Sequence, residues 1–188
     1  MKEVIQSHIK KHVEIAQGLA QDMPDIEGVA KLFIEALRNG NKLLVAGNGG
    51  SAADAHHFAA ELVGRFKKER RAFPALALDT NLSAVTAISN DYAFDQVFAR
   101  QIEALARPGD VFFGISTSGN SQNILEAAKT ARNSGCRVVG LTGKTGGKMA
   151  ELCDFLINIP SEETPRIQEM HTLVIHVLSD LIENALSS

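Results

Sequence analysis

Residues 42–51, with the sequence KLLVAGNGGS, decide the fold class of this chain. A continuous apolar run at 43–46 leads into a turn with three glycines, and a helical pattern over residues 52–66 follows. Continuous apolar runs are typical of strands that are buried on both faces, and such strands occur in parallel sheets. The segment therefore predicts the first strand–turn–helix unit of an α/β domain.

Four further apolar runs extend this pattern along the chain. Together the runs predict five strands, at residues 43–46, 75–78, 111–115, 138–141 and 155–159. Helical patterns at 94–106 and 121–134 lie between strands, and a last helix is predicted over 165–185. Alternating strands and helices favour a parallel, doubly wound sheet of the flavodoxin type, with helices on both faces.

The first 40 residues precede the sheet and predict two helices. The break between them is predicted near Asp22-Met23-Pro24, and the second apolar stripe ends at Asn39-Gly40. We therefore expect residues 1–40 to form a helical arm that is free to pack on a neighbouring chain. Residues 41–188 are expected to form the α/β domain, and the two parts to make one compact unit.

Composition excludes several classes of protein. With 45% hydrophobic and 22% charged residues among 188, the chain is not intrinsically disordered. The formal charge is −3 and no segment is strongly basic, so no nucleic-acid partner is expected. No window approaches the roughly 18 apolar residues of a membrane helix, and the N-terminus lacks a signal peptide. Two cysteines cannot form a disulfide framework, so we expect a cytoplasmic protein without a membrane partner.

Two loops at the carboxyl ends of predicted strands are candidates for binding an anion. In GNGGS at 47–51, the glycines let the backbone approach a ligand, and a helix N-terminus follows. In STSGNS at 116–121, the hydroxyl groups and the next helix N-terminus offer hydrogen-bond donors to a phosphate. The alternatives are an ordinary tight turn for the first loop and helix capping by one serine for the second.

Polar side chains at helical spacing form another candidate site. His57 and Glu61 are four residues apart, so one helix face presents both to a zinc ion or a substrate. Gln168, Thr172 and His176 make a polar stripe on the otherwise apolar last helix. Positions eight residues apart lie about 12 Å apart along the helix axis. Gln168 and His176 can therefore bind one ion only with fully extended side chains, or when different chains supply them. The alternative for His57 and Glu61 is an ordinary pair on the helix surface. The alternative for the stripe on the last helix is hydrogen bonding within the core or at a subunit contact.

These motifs resemble those of the sugar isomerase (SIS) family and, within it, of the phosphoheptose isomerases. The similarity extends over nearly the whole chain, and its most specific segments are GNGGS at 47–51, HFAAEL at 57–62, SND at 89–91, GDV at 109–111, GISTSGNS at 114–121 and RIQEMH at 166–171. The resemblance implies an aldose–ketose isomerase that converts sedoheptulose 7-phosphate into D-glycero-D-manno-heptose 7-phosphate through an enediol, the first step toward lipopolysaccharide heptose. It also implies a cytoplasmic homotetramer with zinc-containing active sites at subunit contacts.

The resemblance assigns roles to individual residues. It implies one zinc ion per site, with the ligands His57, Glu61, Gln168 and His176. It implies substrate contacts from Asn48, Gly49, Gly50, Ser51, Glu61, Arg65, Asn90, Asp91, Ser116, Thr117, Ser118, Ser121 and Gln168. Within this set, we expect Glu61 to be the base at the carbon and His176 to be the partner acid or base. Pro165 stands where several relatives have aspartate, a departure that bears on substrate contact there and not on the metal set.

A non-catalytic SIS protein is the alternative. One such relative binds the bacterial replication initiator and is similar to this chain through much of its length, including the stretch at 166–171. It lacks the His–Glu pair that His57 and Glu61 retain here, so the complete metal set favours the enzyme. The sequence therefore leaves one alternative, a module that binds a sugar phosphate or a protein partner without catalysis.

Overall fold

Five parallel strands form the central sheet of the computed structural model, which describes residues 1–20 and 23–187. They are β1 (Leu43–Ala46), β2 (Ala75–Ala77), β3 (Val111–Ser116), β4 (Arg137–Thr142) and β5 (Phe155–Asn158). Their order in the sheet is β2-β1-β3-β4-β5, and every neighbouring pair is parallel. The predicted doubly wound sheet of the flavodoxin type is confirmed. Its switch point, where ligands bind in such sheets, lies between β1 and β3.

The helices are α1 (Lys2–Leu19), α2 (Met23–Arg38), α3 (Gly50–Val63), α4 (Leu82–Asp91), α5 (Val97–Leu105), α6 (Gln122–Asn133) and α7 (Thr164–Leu186). Short 3-10 helices cover Phe94–Gln96 and Gly147–Glu151. Helix α4 is absent from the sequence-based prediction, although Leu82, Val85 and Ile88 recur at helical spacing and the last two pack partly buried against the core. The predicted break after α1 falls partly on Asp22, which lies outside the described residues.

Helices cover both faces of the sheet and divide the core in two. Leu43 and Val45 of β1 join the part of the core beneath α2, α3 and α7, whereas Leu44 and Ala46 join the part beneath α5 and α6. Every residue of β1 and β3 is therefore buried, as their apolar runs predict. The edge strand β2 differs, because Leu76 is 38% exposed where no further strand or helix covers it fully.

Three aromatic rings fix α3 against the sheet. Phe33 of α2, Phe58 of α3 and Phe113 of β3 form a cluster with ring centroids 5.3 to 5.9 Å apart. All three side chains are fully buried. Because Phe58 is buried, its neighbour His57 lies at the side of α3, toward α7.

Apolar surface remains uncovered on α1 and α7. Leu173, Val177 and Leu181 of α7 are each about 40% exposed and line an apolar cavity of about 480 Å³ with residues of α1 and α2. On α1, the side chains of Ile5 and Ile9 are about 60% exposed. Within residues 1–20 and 23–187, no helix combines the length and apolar character that are needed to cross a membrane.

Candidate active site

Three donor side chains converge between α3 and α7. His57 and Glu61 lie one turn apart on α3, with 2.9 Å between Nε2 and Oε1. His176 of α7 places its Nε2 3.3 Å from the Nε2 of His57, and the two rings meet edge to face. The donor atoms of all three half-buried residues lie within 4.8 Å of one another. Two imidazole nitrogens and a carboxylate oxygen are the ligand types of catalytic zinc sites, so this cluster fits a metal ion.

The glycine turn brings α7 close to the start of α3. Gly49 has φ +57°, a backbone conformation that favours glycine. A Cβ atom on Gly50 would collide with the amide Nε2 of Gln168. Gln168 lies two turns before His176 on α7, so the predicted fourth ligand packs against the first residue of α3.

Asp54 and Thr172 are a polar pair beside this cluster. Thr172 donates its hydroxyl to Oδ1 of Asp54 at 3.0 Å, as expected if the polar stripe bonds within the chain. Oδ2 of Asp54 is buried, and no described residue bonds to it. Burial raises the pKa of Asp54, although the Thr172 hydrogen bond and the charge of His57 oppose the rise. An unpaired buried carboxylate oxygen one turn before His57 supports the presence of a bound group here.

Asp54 is a site residue that was not predicted from the sequence. The signal was present, because Asp54, His57 and Glu61 follow the i, i+3, i+7 spacing of one helix face. His56, by contrast, pairs with Asp79 at 2.8 Å on another side of α3.

The glycine turn at the switch point is bonded to the start of α6. The amides of Asn48 and Asn123 exchange two hydrogen bonds of 2.9 Å, which tie the glycine turn to the start of α6. Ser51 is buried in the first turn of α3, whereas Gly49 and Gly50 are exposed. The backbone of the glycine turn is therefore open to a ligand, while the side chain of Asn48 is engaged by α6.

The serine loop is built around a hydroxyl pair. Ser116, at the end of β3, and Ser121, before α6, have their Oγ atoms 3.0 Å apart. Ser121 makes no side-chain capping bond, so simple helix capping does not explain it. Thr117 and Ser118 line a cavity of about 290 Å³.

Lys144 lines the same cavity and supplies a cation that the serine loop lacks. It follows β4 and lies 3.6 Å from a carboxylate oxygen of Glu162. Lys144 could not be predicted from the sequence, because the loop after β4 carries no motif of its own. A phosphate in this cavity would meet hydroxyl groups on one side and an ammonium group on the other.

Three predicted substrate contacts lie elsewhere in the chain. Arg65 is exposed, and its guanidinium donates to the carbonyl of Lys67 at 3.4 Å. Asn90 donates to Asp91 at 2.8 Å on the exposed helix α4. Across the described residues, no hydrogen bond joins Arg65, Asn90 or Asp91 to the donor cluster.

Comparisons with known proteins agree with one another. Residues 8–143 match the SIS domain family. A phosphoheptose isomerase of Aliarcobacter butzleri is 54% identical over 188 residues, which is 100% of both chains. One from Helicobacter hepaticus is 53% identical over 184 residues, covering 98% of this chain and 94% of the relative. The solved structure of phosphoheptose isomerase GmhA from Neisseria gonorrhoeae superposes with a TM-score of 0.93 at 44% identity, covering 97% of this chain and 98% of that chain.

Proposed function

Since this chain belongs to the SIS domain family and to its phosphoheptose isomerases, we propose that it interconverts sedoheptulose 7-phosphate and D-glycero-D-manno-heptose 7-phosphate at the site between α3 and α7. The convergence of His57, Glu61 and His176 carries this placement. Aldose–ketose isomerisation moves a proton between C1 and C2 through an enediol, and it needs a base at carbon and an acid at oxygen. The cluster offers a carboxylate and two imidazoles for these steps.

In the proposed reaction, Glu61 takes the proton from the carbon beside the carbonyl and returns it to the neighbouring carbon. His176 gives a proton to one sugar oxygen and accepts one from the other, so that the enediol forms and collapses. Both groups are half-buried, and a site partly withdrawn from water strengthens such contacts.

The proposal includes one zinc ion per site, held by His57, Glu61 and His176 with Gln168 as the fourth ligand. The donor types of the cluster and the unpaired Oδ2 of Asp54 support it. A bound zinc ion would supply Lewis acidity toward the sugar carbonyl.

The phosphate end of the substrate is proposed to bind the cavity beside the serine loop. Hydroxyl groups reach it from Thr117 and Ser118, and Lys144 adds a positive charge. Ser116 and Ser121 pair behind this loop and shape it. Binding energy from this remote group orients the reacting end without taking part in the chemistry.

We further propose a cytoplasmic homotetramer in which Arg65, Asn90 and Asp91 serve a site formed with a neighbouring subunit. No residue of α4 is buried in the single chain, and the apolar stripe of α7 is exposed. Both features leave surface for subunit contacts.

The experiment that tests this function is incubation of the purified protein with sedoheptulose 7-phosphate, following aldoheptose 7-phosphate, with and without a chelator. We expect turnover that the chelator removes and zinc restores. Absence of turnover in zinc-loaded, correctly assembled protein would contradict the proposal and favour a module that only binds sugar phosphates.

Glu61→Gln tests the assignment of the base. It keeps the size of the side chain and removes the carboxylate, so turnover should fall at least about 100-fold. Glu103→Gln is the matched control, because the Glu103 side chain is 56% exposed on α5 and pairs with Arg100, so turnover should stay unchanged. Appreciable activity of Glu61→Gln would move the base to another residue.

A further inference from the structure

A buried ion pair joins the two helices that carry the donor cluster. Arg70, in the segment after α3, places its Nε 3.2 Å from Oε1 of Glu183 on α7. The two side chains are only 3% and 1% exposed. Glu183 lies about two turns beyond His176 on the same helix. The ion pair therefore links α7 to the segment after α3, on the C-terminal side of the donor cluster.

Glu183 also binds the backbone of the segment that leaves α3. Its carboxylate accepts three successive N–H groups, from Phe66 at 3.0 Å and from Lys67 and Lys68 at 2.8 Å each. Burial alone would raise the pKa of Glu183, but these N–H groups and the Arg70 guanidinium hold it below its usual value. The carboxylate is thus charged and fully engaged.

Arg70 satisfies the free carbonyl groups at the end of α3. Its Nη2 donates to the carbonyl of Glu61 at 2.8 Å, and its Nη1 donates to the carbonyls of Leu62 and Gly64 at 2.8 and 3.1 Å. The last carbonyls of a helix have no partner within the helix, and a cation there is favourable. One of these bonds holds the backbone of Glu61, whose carboxylate belongs to the cluster.

Phe66 connects the same network to the second histidine. Its N–H is held by Glu183, and its ring lies against the ring of His176, with centroids 5.6 Å apart and planes inclined by 33°. The orientation of the His176 imidazole thus depends on where the segment after α3 is held.

We propose that Arg70, Glu183 and Phe66 are positioning residues that set the geometry of the donor cluster. This clamp, defined by those three residues, fixes Glu61 through its backbone and His176 through its ring. The inference rests on the proposed metal site and adds to it residues that touch neither substrate nor metal. Groups that orient ligands from behind typically change metal affinity 10- to 100-fold when they are replaced.

The test measures metal binding rather than turnover. Competition between the metal-free protein and a chromophoric chelator gives the affinity for Zn²⁺. The visible absorption spectra of the Co²⁺-loaded variants are compared with that of the unchanged protein. We expect Arg70→Met and Glu183→Gln to weaken Zn²⁺ binding about 10- to 100-fold and to change the Co²⁺ spectrum. Arg70→Lys keeps the charge but not the forked set of donors, so its affinity should fall between Arg70→Met and the unchanged protein.

Lys42→Met is the matched control for lost stability. Lys42 makes an ion pair with Asp110, whose side chain is 2% exposed, and among the described residues neither side chain bonds to the donor cluster or to the clamp. Its loss should lower thermal stability and leave Zn²⁺ affinity and the Co²⁺ spectrum unchanged. A comparable loss of Zn²⁺ affinity in Lys42→Met would overturn the clamp, because destabilisation alone would then account for the effect.

Phe66→Leu keeps the proposal testable if the charge variants fail to fold. Phe66 is only half-buried, so the shorter side chain should fold and alter the Co²⁺ spectrum. Folded variants with unchanged affinity and spectrum would overturn the clamp alone. An unchanged protein that binds neither Zn²⁺ nor Co²⁺ would instead overturn the metal site beneath it.

Discussion

His171 shows how one buried group makes stability depend on pH. The side chain is fully buried, and its Nε2–H donates to the carbonyl of Thr142 at 3.3 Å. Burial lowers its pKa to about 4 from the ordinary 6.5, although the hydrogen bond opposes the shift. Because the unfolded chain takes up the proton first, the stability that neutral His171 contributes is present above pH 6.5 and is lost as pH falls toward 4.

We expect the protonation of His171 to lower the free energy of unfolding by about 2 kcal/mol when the pH falls from 7 to 5. Urea unfolding at the two pH values measures it. His171→Gln does not titrate there, so its stability should change less over this range. An equal loss in the variant would show that other groups carry the pH dependence.

The hydroxyl groups of the serine loop should act on substrate affinity. Ser118→Ala removes a hydroxyl group that lines the phosphate cavity, and Ser121→Ala removes one that shapes the loop by pairing with Ser116. Each lost hydrogen bond to a charged group costs about 1.5 kcal/mol or more. We expect KM to rise at least about tenfold with little change in kcat. Steady-state kinetics measures both, and Ser7→Ala on the exposed face of α1 is the control. An unchanged KM would remove the loop from phosphate binding.

At the scale of elements, the close contact between the start of α3 and α7 depends on Gly50, which has no side chain. A methyl group on Gly50 would displace the amide of Gln168, which is the far end of a flexible side chain. Gly50→Ala should therefore change stability by less than about 1 kcal/mol while weakening Zn²⁺ binding. Thermal unfolding and chelator competition measure the two effects.

Gly18→Ala is the matched control for that change. Gly18 lies within the helix α1, and its new methyl group would contact Pro160 at 3.5 Å, an ordinary van der Waals distance. Affinity for Zn²⁺ should stay unchanged, and the helix should gain slightly in stability. If Gly50→Ala also leaves the affinity unchanged, Gln168 is not a ligand.

The elements also show what the sequence could predict. The apolar runs predicted β1 within its observed bounds because its residues are buried on both faces. Helix α4 gives a weaker signal, because its apolar stripe of Leu82, Val85 and Ile88 is short and none of its residues is fully buried. Spacing placed His57 with Glu61, but it could not bring His176 to them from 119 residues away. That contact depends on how α3 and α7 pack side by side.

At the scale of the whole molecule, the exposed stripe of α7 should hold subunits together. Val177 is 38% exposed in the apolar cavity between α1, α2 and α7. Val177→Glu would bury a charge at a subunit contact, so we expect smaller species by light scattering and a loss of turnover. Glu151→Lys, an exposed charge reversal, is the control. A Val177→Glu tetramer would place the subunit contact elsewhere.

The division of the chain at residue 40 stays a prediction. Val29 and Phe33 of α2 are fully buried against the sheet, so α2 is part of the same core as α3 and α7. Helix α1 contacts the first turns of α7, where His12 bonds to Glu169 at 2.8 Å and Arg166 donates to the carbonyl of His8 at 3.0 Å.

The separation of His57 and His176 along the chain also orders events during synthesis. A growing polypeptide contains His57 and Glu61 well before the ribosome has added the 119 residues that lead to His176. Small zinc domains fold around their ion because all ligands lie close in sequence. Here the proposed ligand set is complete only after α7 has packed on α3, so we expect metal uptake to follow folding and to report that it has finished.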